Sequence, residues 1–108
     1  MRTKIKMTDS AIMRLQDGHE RFILEKKAMN LSNDTIGFYN VCYRYLTEYV
    51  GENALCSEIN ADTIINYILH LRERSNISDT TINTYLSGTR AILYNLMERG
   101  LIKNSMMA

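Results

Sequence analysis

One nine-residue pattern occurs three times in this chain: an apolar residue, Ser or Asn, two residues, then Thr-Ile-x-x-Tyr. The copies are Leu31–Tyr39, Ile59–Tyr67 and Ile77–Tyr85. Each reads as the start of a helix. The Ser or Asn can accept a hydrogen bond from a backbone N–H one turn on. The apolar residue before it can close a staple against the isoleucine that follows. The starts lie 28 and 18 residues apart, so the pattern is one capping solution reused and not a solenoid period. Three fixed helix starts, no proline, five glycines and no strand-type alternation define an all-α chain.

The helices follow from these starts. Residues 1–8 read as a flexible basic lead carrying Arg2, Lys4 and Lys6, and residues 9–104 as one helical domain. A first helix is expected from Asp9 to Met29, capped by Thr8 or Asp9. Its buried stripe would be Ile12, Leu15, Phe22 and Ile23, and Gly18 is a possible break, because glycine costs a helix about 1 kcal/mol relative to alanine. Asn30 ends it. A second runs from Ser32 to Val50 with a seam of Ile36, Tyr39, Tyr43, Leu46 and Val50. Residues 52–58 read as a polar connector. A third runs from Asn60 to Arg74. It is apolar over a wide arc (Ile64, Ile65, Ile68, Leu69 and Leu71) and is expected to be the most buried. The fourth opens at Ser78 and closes at Gly100, and Leu101-Ile102 fold back onto the core. Residues 105–108 read as a tail.

The fourth helix carries the clearest functional hint. At about 100° per residue, Ile82, Tyr85, Leu86, Thr89, Ile92, Leu93, Leu96 and Met97 share one side. Thr80, Asn83, Ser87, Arg90 and Tyr94 form a narrow strip on the other. That strip has no acid. Its amide, hydroxyls, guanidinium and phenol are groups that meet base edges and phosphates when a helix lies in a major groove. They are also what an ordinary solvated face carries. The second helix has a matching strip of Asn33, Gly37, Asn40 and Arg44. Gly37 is either simply tolerated there or marks the close approach of another backbone, such as a phosphate strand.

Several function classes are excluded on composition and spacing. A chain of 108 residues supports one domain with one modest core. No apolar run is long enough to span a bilayer, and no apolar region follows the basic start as a secretion signal would require. A cytoplasmic location is expected. Cys42 and Cys56 lack metal-ligand spacing and read as buried or half-buried thiols. His19 and His70 are isolated, so neither a metal nor a cofactor is expected. There is no phosphate-binding glycine loop, no nucleophile elbow and no pair of carboxylates in an apolar setting, so nothing reads as catalytic. Net charge is +1, too little to advertise nucleic acid by itself.

Taken in order, the motifs resemble a known family. Asn30-Leu31-Ser32-x-x-Thr35-Ile36-x-x-Tyr39 is followed by a helix ending Leu71-Arg72-Glu73-Arg74. Then come Ser78-x-x-Thr81-Ile82-Asn83-x-Tyr85-Leu86-x-x-x-Arg90 and Gly100-Leu101-Ile102. Over residues 10–104 this resembles the N-terminal core-binding domain of tyrosine recombinases, the phage-type and conjugative-element integrases. The resemblance implies a four- to five-helix SAM-like bundle that grips one face of a double-stranded recombination site. It places the active site in a separate C-terminal catalytic domain of the same parent protein. The chain would stop where the linker to that domain begins, with Lys103-Asn104-Ser105 standing where the family commonly has Asn-Pro. None of the seven tyrosines would be the nucleophile.

In such domains the second and fourth helices face the major groove, which selects the two strips already described. Lys26, Lys27 and Arg44 would neutralise phosphates; Asn83 and Arg90 are the candidates for base-edge contacts. Near-neutral charge implies weak binding by an isolated, monomeric domain, about 10⁻⁴–10⁻⁶ M at physiological salt. A catalytic domain tethered on the same duplex would strengthen it. Two other readings stand beside this one: a helical protein–protein interaction module, and a helix-turn-helix regulator with the fourth helix as its recognition helix.

Overall fold

The computed structural model describes residues 13–74 and 76–102. The basic lead, the caps expected at Thr8 or Asp9, Ile12, the Lys103-Asn104-Ser105 step and the tail lie outside the described residues. Within them the chain forms four α-helices: α1 (Leu15–Ala28), α2 (Asn33–Val50), α3 (Ala61–Arg72) and α4 (Asp79–Glu98). One 3₁₀ turn, Cys56–Glu58, lies between α2 and α3.

The repeated starts behave as their side chains dictate. The backbone N–H groups of Thr35, Thr63 and Thr81 donate to Ser32 Oγ, Asn60 Oδ1 and Ser78 Oγ at 3.2, 3.0 and 3.2 Å. Each threonine hydroxyl also meets its cap, at 3.0, 3.2 and 3.0 Å. At Asn60 the exchange is reciprocal, because its own N–H donates to Thr63 Oγ1 at 3.3 Å. The invariant threonine of the motif thus helps to satisfy groups that a helix start leaves without partners.

Two ends close by one device. Asn30 adopts φ +62° and Gly100 φ +78°. Leu31 N–H reaches back to Lys26 O at 3.3 Å, and Leu101 N–H to Leu96 O at 2.9 Å. This is the Schellman pattern, in which one left-handed residue turns the next, apolar one onto the helix it has left. Leu101 and Ile102 are accordingly buried.

Helix α4 is the spine. Ile82, Leu86, Thr89, Ile92, Leu93, Leu96 and Met97 are buried along it, as their spacing predicts. The contact of α2 with α4 is the most extensive in the bundle; α1 and α3 each touch both. Asn95 Nδ2 donates to Glu25 Oε1 at 2.9 Å, and Arg99 donates to Gly18 O at 2.8 Å, tying the end of α4 to α1.

Four expectations are corrected. α1 starts at Leu15, and residues 13–14 are not helical. Arg14 is extended and pairs with Leu55 in an antiparallel bridge. Leu15 N–H donates to Ala54 O, and Cys56 N–H to Met13 O, both at 2.8 Å. Those tertiary bonds take the chain out of the helical pattern that the sequence would continue. Gly18 does not break α1. A Cβ there would lie 2.7 Å from Leu96 Cδ2, so glycine lets α1 close onto α4. The connector is not merely polar, because Ala54 and Cys56 are buried in it. Finally, α3 buries only Ile64, Tyr67 and Leu71, while Ile65 and Leu69 stand exposed. It packs against α2 and α4 on one side, and among the described residues nothing covers the other.

Candidate nucleic-acid interface

The strip on α4 is where its spacing puts it. Thr80, Asn83, Ser87, Arg90 and Tyr94 are all exposed. Among the described residues Asn83, Ser87, Arg90 and Tyr94 make no side-chain hydrogen bond or ion pair, so their donors and acceptors remain open to a partner. Thr80 accepts at its carbonyl from Thr84 Oγ1 at 3.0 Å, and its own hydroxyl makes no hydrogen bond among the described residues.

The strip on α2 is less uniform. Asn33, Gly37, Asn40 and Arg44 are exposed, but Asn40 is partly committed. Its Oδ1 accepts from His19 Nε2 at 2.9 Å, leaving its amide donors and one acceptor lone pair for a partner. Arg44 makes no ion pair among the described residues; its guanidinium lies 5.7 Å from the centroid of the Tyr45 ring. At Gly37 a Cβ would meet nothing within 4 Å, so the fold does not require glycine there. Gly37→Ala is therefore expected to raise stability by about 0.5–1 kcal/mol in thermal denaturation. Its effect on duplex affinity decides between the readings of this residue: an approaching phosphate strand predicts weaker binding, and simple tolerance predicts none.

The two lysines differ. Lys26 is half-buried, with Nζ 5.2 Å from the centroid of the Phe22 ring and 4.0 Å from Met29 Sδ, so it lies along α1. Lys27 is exposed and has no side-chain partner among the described residues.

The structure adds residues that spacing did not reveal. Tyr45 of α2 stacks on Tyr85 of α4 with centroids 4.5 Å apart. Arg74, beyond α3, brings a second guanidinium 5.7 Å from the same Tyr45 ring and lies 4.0 Å from Glu48. Arg44, Arg74 and the stacked tyrosines thus gather at one corner of the bundle. No local signal marks this cluster, because its members come from three segments.

His19 is another such residue. It is buried, stacks on Tyr43 with centroids 4.0 Å apart, and its Nδ1 has no partner among the described residues. Burial lowers its pKa, opposed by the bond to Asn40 and the charge of Glu20. The unfolded chain takes up a proton near the ordinary value of about 6.5, while the folded chain resists. Stability is then full above that pH and falls below it, by at most about 1.4 kcal/mol per pH unit. Thermal midpoints from pH 8 to pH 5 are expected to fall more steeply in the parent chain than in His19→Gln. Parallel curves would show that His19 does not carry the effect. Cys42 and Cys56 are buried free thiols, each pushed up to about 11 by burial, so both are inert.

Among the described residues no cluster of His, Cys, Asp or Glu is arranged to hold a metal ion, and no helix is long and apolar enough to cross a membrane. The fold is a compact all-helical domain of the SAM-like class. The chain belongs to the phage integrase SAM-like domain family, which matches residues 19–108. No curated protein and no solved structure matched it.

Proposed function

We propose that this domain binds double-stranded DNA as the core-binding part of a site-specific tyrosine recombinase, and that cutting and joining belong to a catalytic domain of the same parent protein. Membership of the integrase family supports the class. The observation that carries the DNA reading is the α4 strip, which is exposed, free of acids and unengaged within the described fold. The role is positional. Arg44 and Lys27 neutralise phosphates and set the register, with Lys26 a weaker candidate because it lies over Phe22. Asn83 and Arg90 contact base edges, by asparagine to adenine or arginine to guanine. Asn33, Gly37, Asn40, Thr80, Ser87 and Tyr94 line the approach. Phosphate neutralisation makes such binding steeply salt-dependent.

A protein-interaction reading is favoured by one feature, the exposed Ile65 and Leu69 on α3. A ¹⁵N NMR titration with a recombination-site duplex, at low and then physiological salt, separates the two. Shifts clustered on 33–44 and 80–94 that fade with salt are the expected result. A folded spectrum without shifts would overturn the DNA reading.

A further inference from the structure

The outer face of α3 has a pattern of its own. Ile65 and Leu69 are 54% and 53% exposed, while Ile64, Tyr67 and Leu71 of the same helix are buried beneath them. Four residues apart, they form one ridge. Asp62 extends it toward the N-terminus and Arg72 toward the C-terminus, both exposed. At about 100° per residue, all four fall within an arc of about 80°.

The spacing is symmetric. Ile65 and Leu69 lie two residues to either side of Tyr67, and Asp62 and Arg72 lie five to either side. A two-fold axis at the level of Tyr67 therefore maps the ridge onto its own complement. Ile65 of one copy meets Leu69 of the other, and Asp62 meets Arg72, each pairing occurring twice. A closed isologous contact requires this self-complementarity. We propose that α3 is a self-association face whose occupant is the antiparallel α3 of a second copy of this chain.

Both charges are available for it. Asp62 pairs with no described side chain. Arg72 lies 3.5 Å from Asp79, but the two side chains are 46% and 85% exposed, and a pair so open to solvent holds Arg72 weakly. The ridge is small beside the roughly 800 Å² per partner of a stable complex. Free chains therefore associate weakly, remaining monomeric at micromolar concentration. Copies held side by side on one duplex would pair readily, because the second contact is then intramolecular. That last step rests on the DNA-binding reading; the pairing itself does not.

The test is analytical ultracentrifugation of the full chain from micromolar to millimolar concentration, without DNA, with folding of each variant checked by circular dichroism. Asp62→Arg and Arg72→Asp each place like charges at both ends of the two-fold contact. Each alone is expected to self-associate about tenfold more weakly than the parent. Mixed one to one, they regain opposite charges at both ends, and association is expected to return to the parent level. Leu69→Glu is expected to abolish it in every mixture. A parent chain that stays monomeric at millimolar concentration overturns the proposal. So does a mixture no stronger than its components, or association that survives Leu69→Glu. None of these outcomes touches the DNA reading, and a failed duplex titration leaves this contact standing.

Discussion

Gly88→Val is expected to destabilise the domain by about 3 kcal/mol, lowering the thermal midpoint by roughly 12–24 °C. Gly88 faces Cys42 and Phe38 of α2 from α4. A Cβ built there collides with Cys42 Sγ and lies 2.9 Å from Phe38 Cε2. Phe38 is half-buried and its ring can yield. Cys42 is fully buried on a short side chain and has nowhere to retreat. Valine adds two further methyl groups to that collision, and because α2 and α4 share the main interface, a forced separation spreads to both. Native domains hold only about 5–15 kcal/mol in total, so this loss is severe. A midpoint within about 2 °C of the parent, by circular dichroism, would mean that the interface relaxes freely. The gain expected from Gly37→Ala on the exposed face of α2 gives the comparison its sign, because there helix propensity acts with no collision against it.

Gly88 also shows where sequence reasoning stops. On a helical wheel it falls about 40° outside Ile92, just beyond the arc that spacing assigns to the core. A glycine has no side chain to declare that it is buried; only the approach of α2 does so. The caps are the opposite case. Ser32, Asn60 and Ser78 bond the backbone three residues on, so each contact closes within the motif that announces it. The α4 core arc was equally legible, because one helix carries the whole pattern. The start of α1 was not, because Leu55 competes for Arg14 from far along the chain. Ile65 and Leu69 were misread for a related reason: apolar content says that a face wants cover, and only the fold says whether a neighbour provides it.

The candidate surface divides the same way. Exposure of both polar strips followed from periodicity. The engagement of Asn40 by His19 did not, because the two lie 21 residues apart and the bond depends on how α1 crosses α2. The convergence of Arg44 and Arg74 on Tyr45 is likewise a property of the packed bundle.

The double charge reversal Arg44→Glu with Arg90→Glu is expected to weaken binding to a recombination-site duplex about 100-fold or more at fixed salt, equivalent to about 2.7 kcal/mol. Loss of a base contact alone is worth about 1–3 kcal/mol, and each lost phosphate contact lowers the slope of log affinity against log salt by about 1. Neither arginine holds an ion pair within the described fold, so the domain should stay folded. Net charge is the confounding variable, since two Arg→Glu changes take the formal charge from +1 to −3. The control is therefore Arg14→Glu with Arg21→Glu, which makes the same change at the start of α1 and on it, outside both strips and outside the α3 ridge. Fluorescence anisotropy across a salt series compares the pairs. If both lose equal affinity with equal slopes, the attraction is one of overall charge and the strips have no special part in it. If the strip pair fails and the control binds nearly as the parent does, then α2 and α4 form the face that meets DNA.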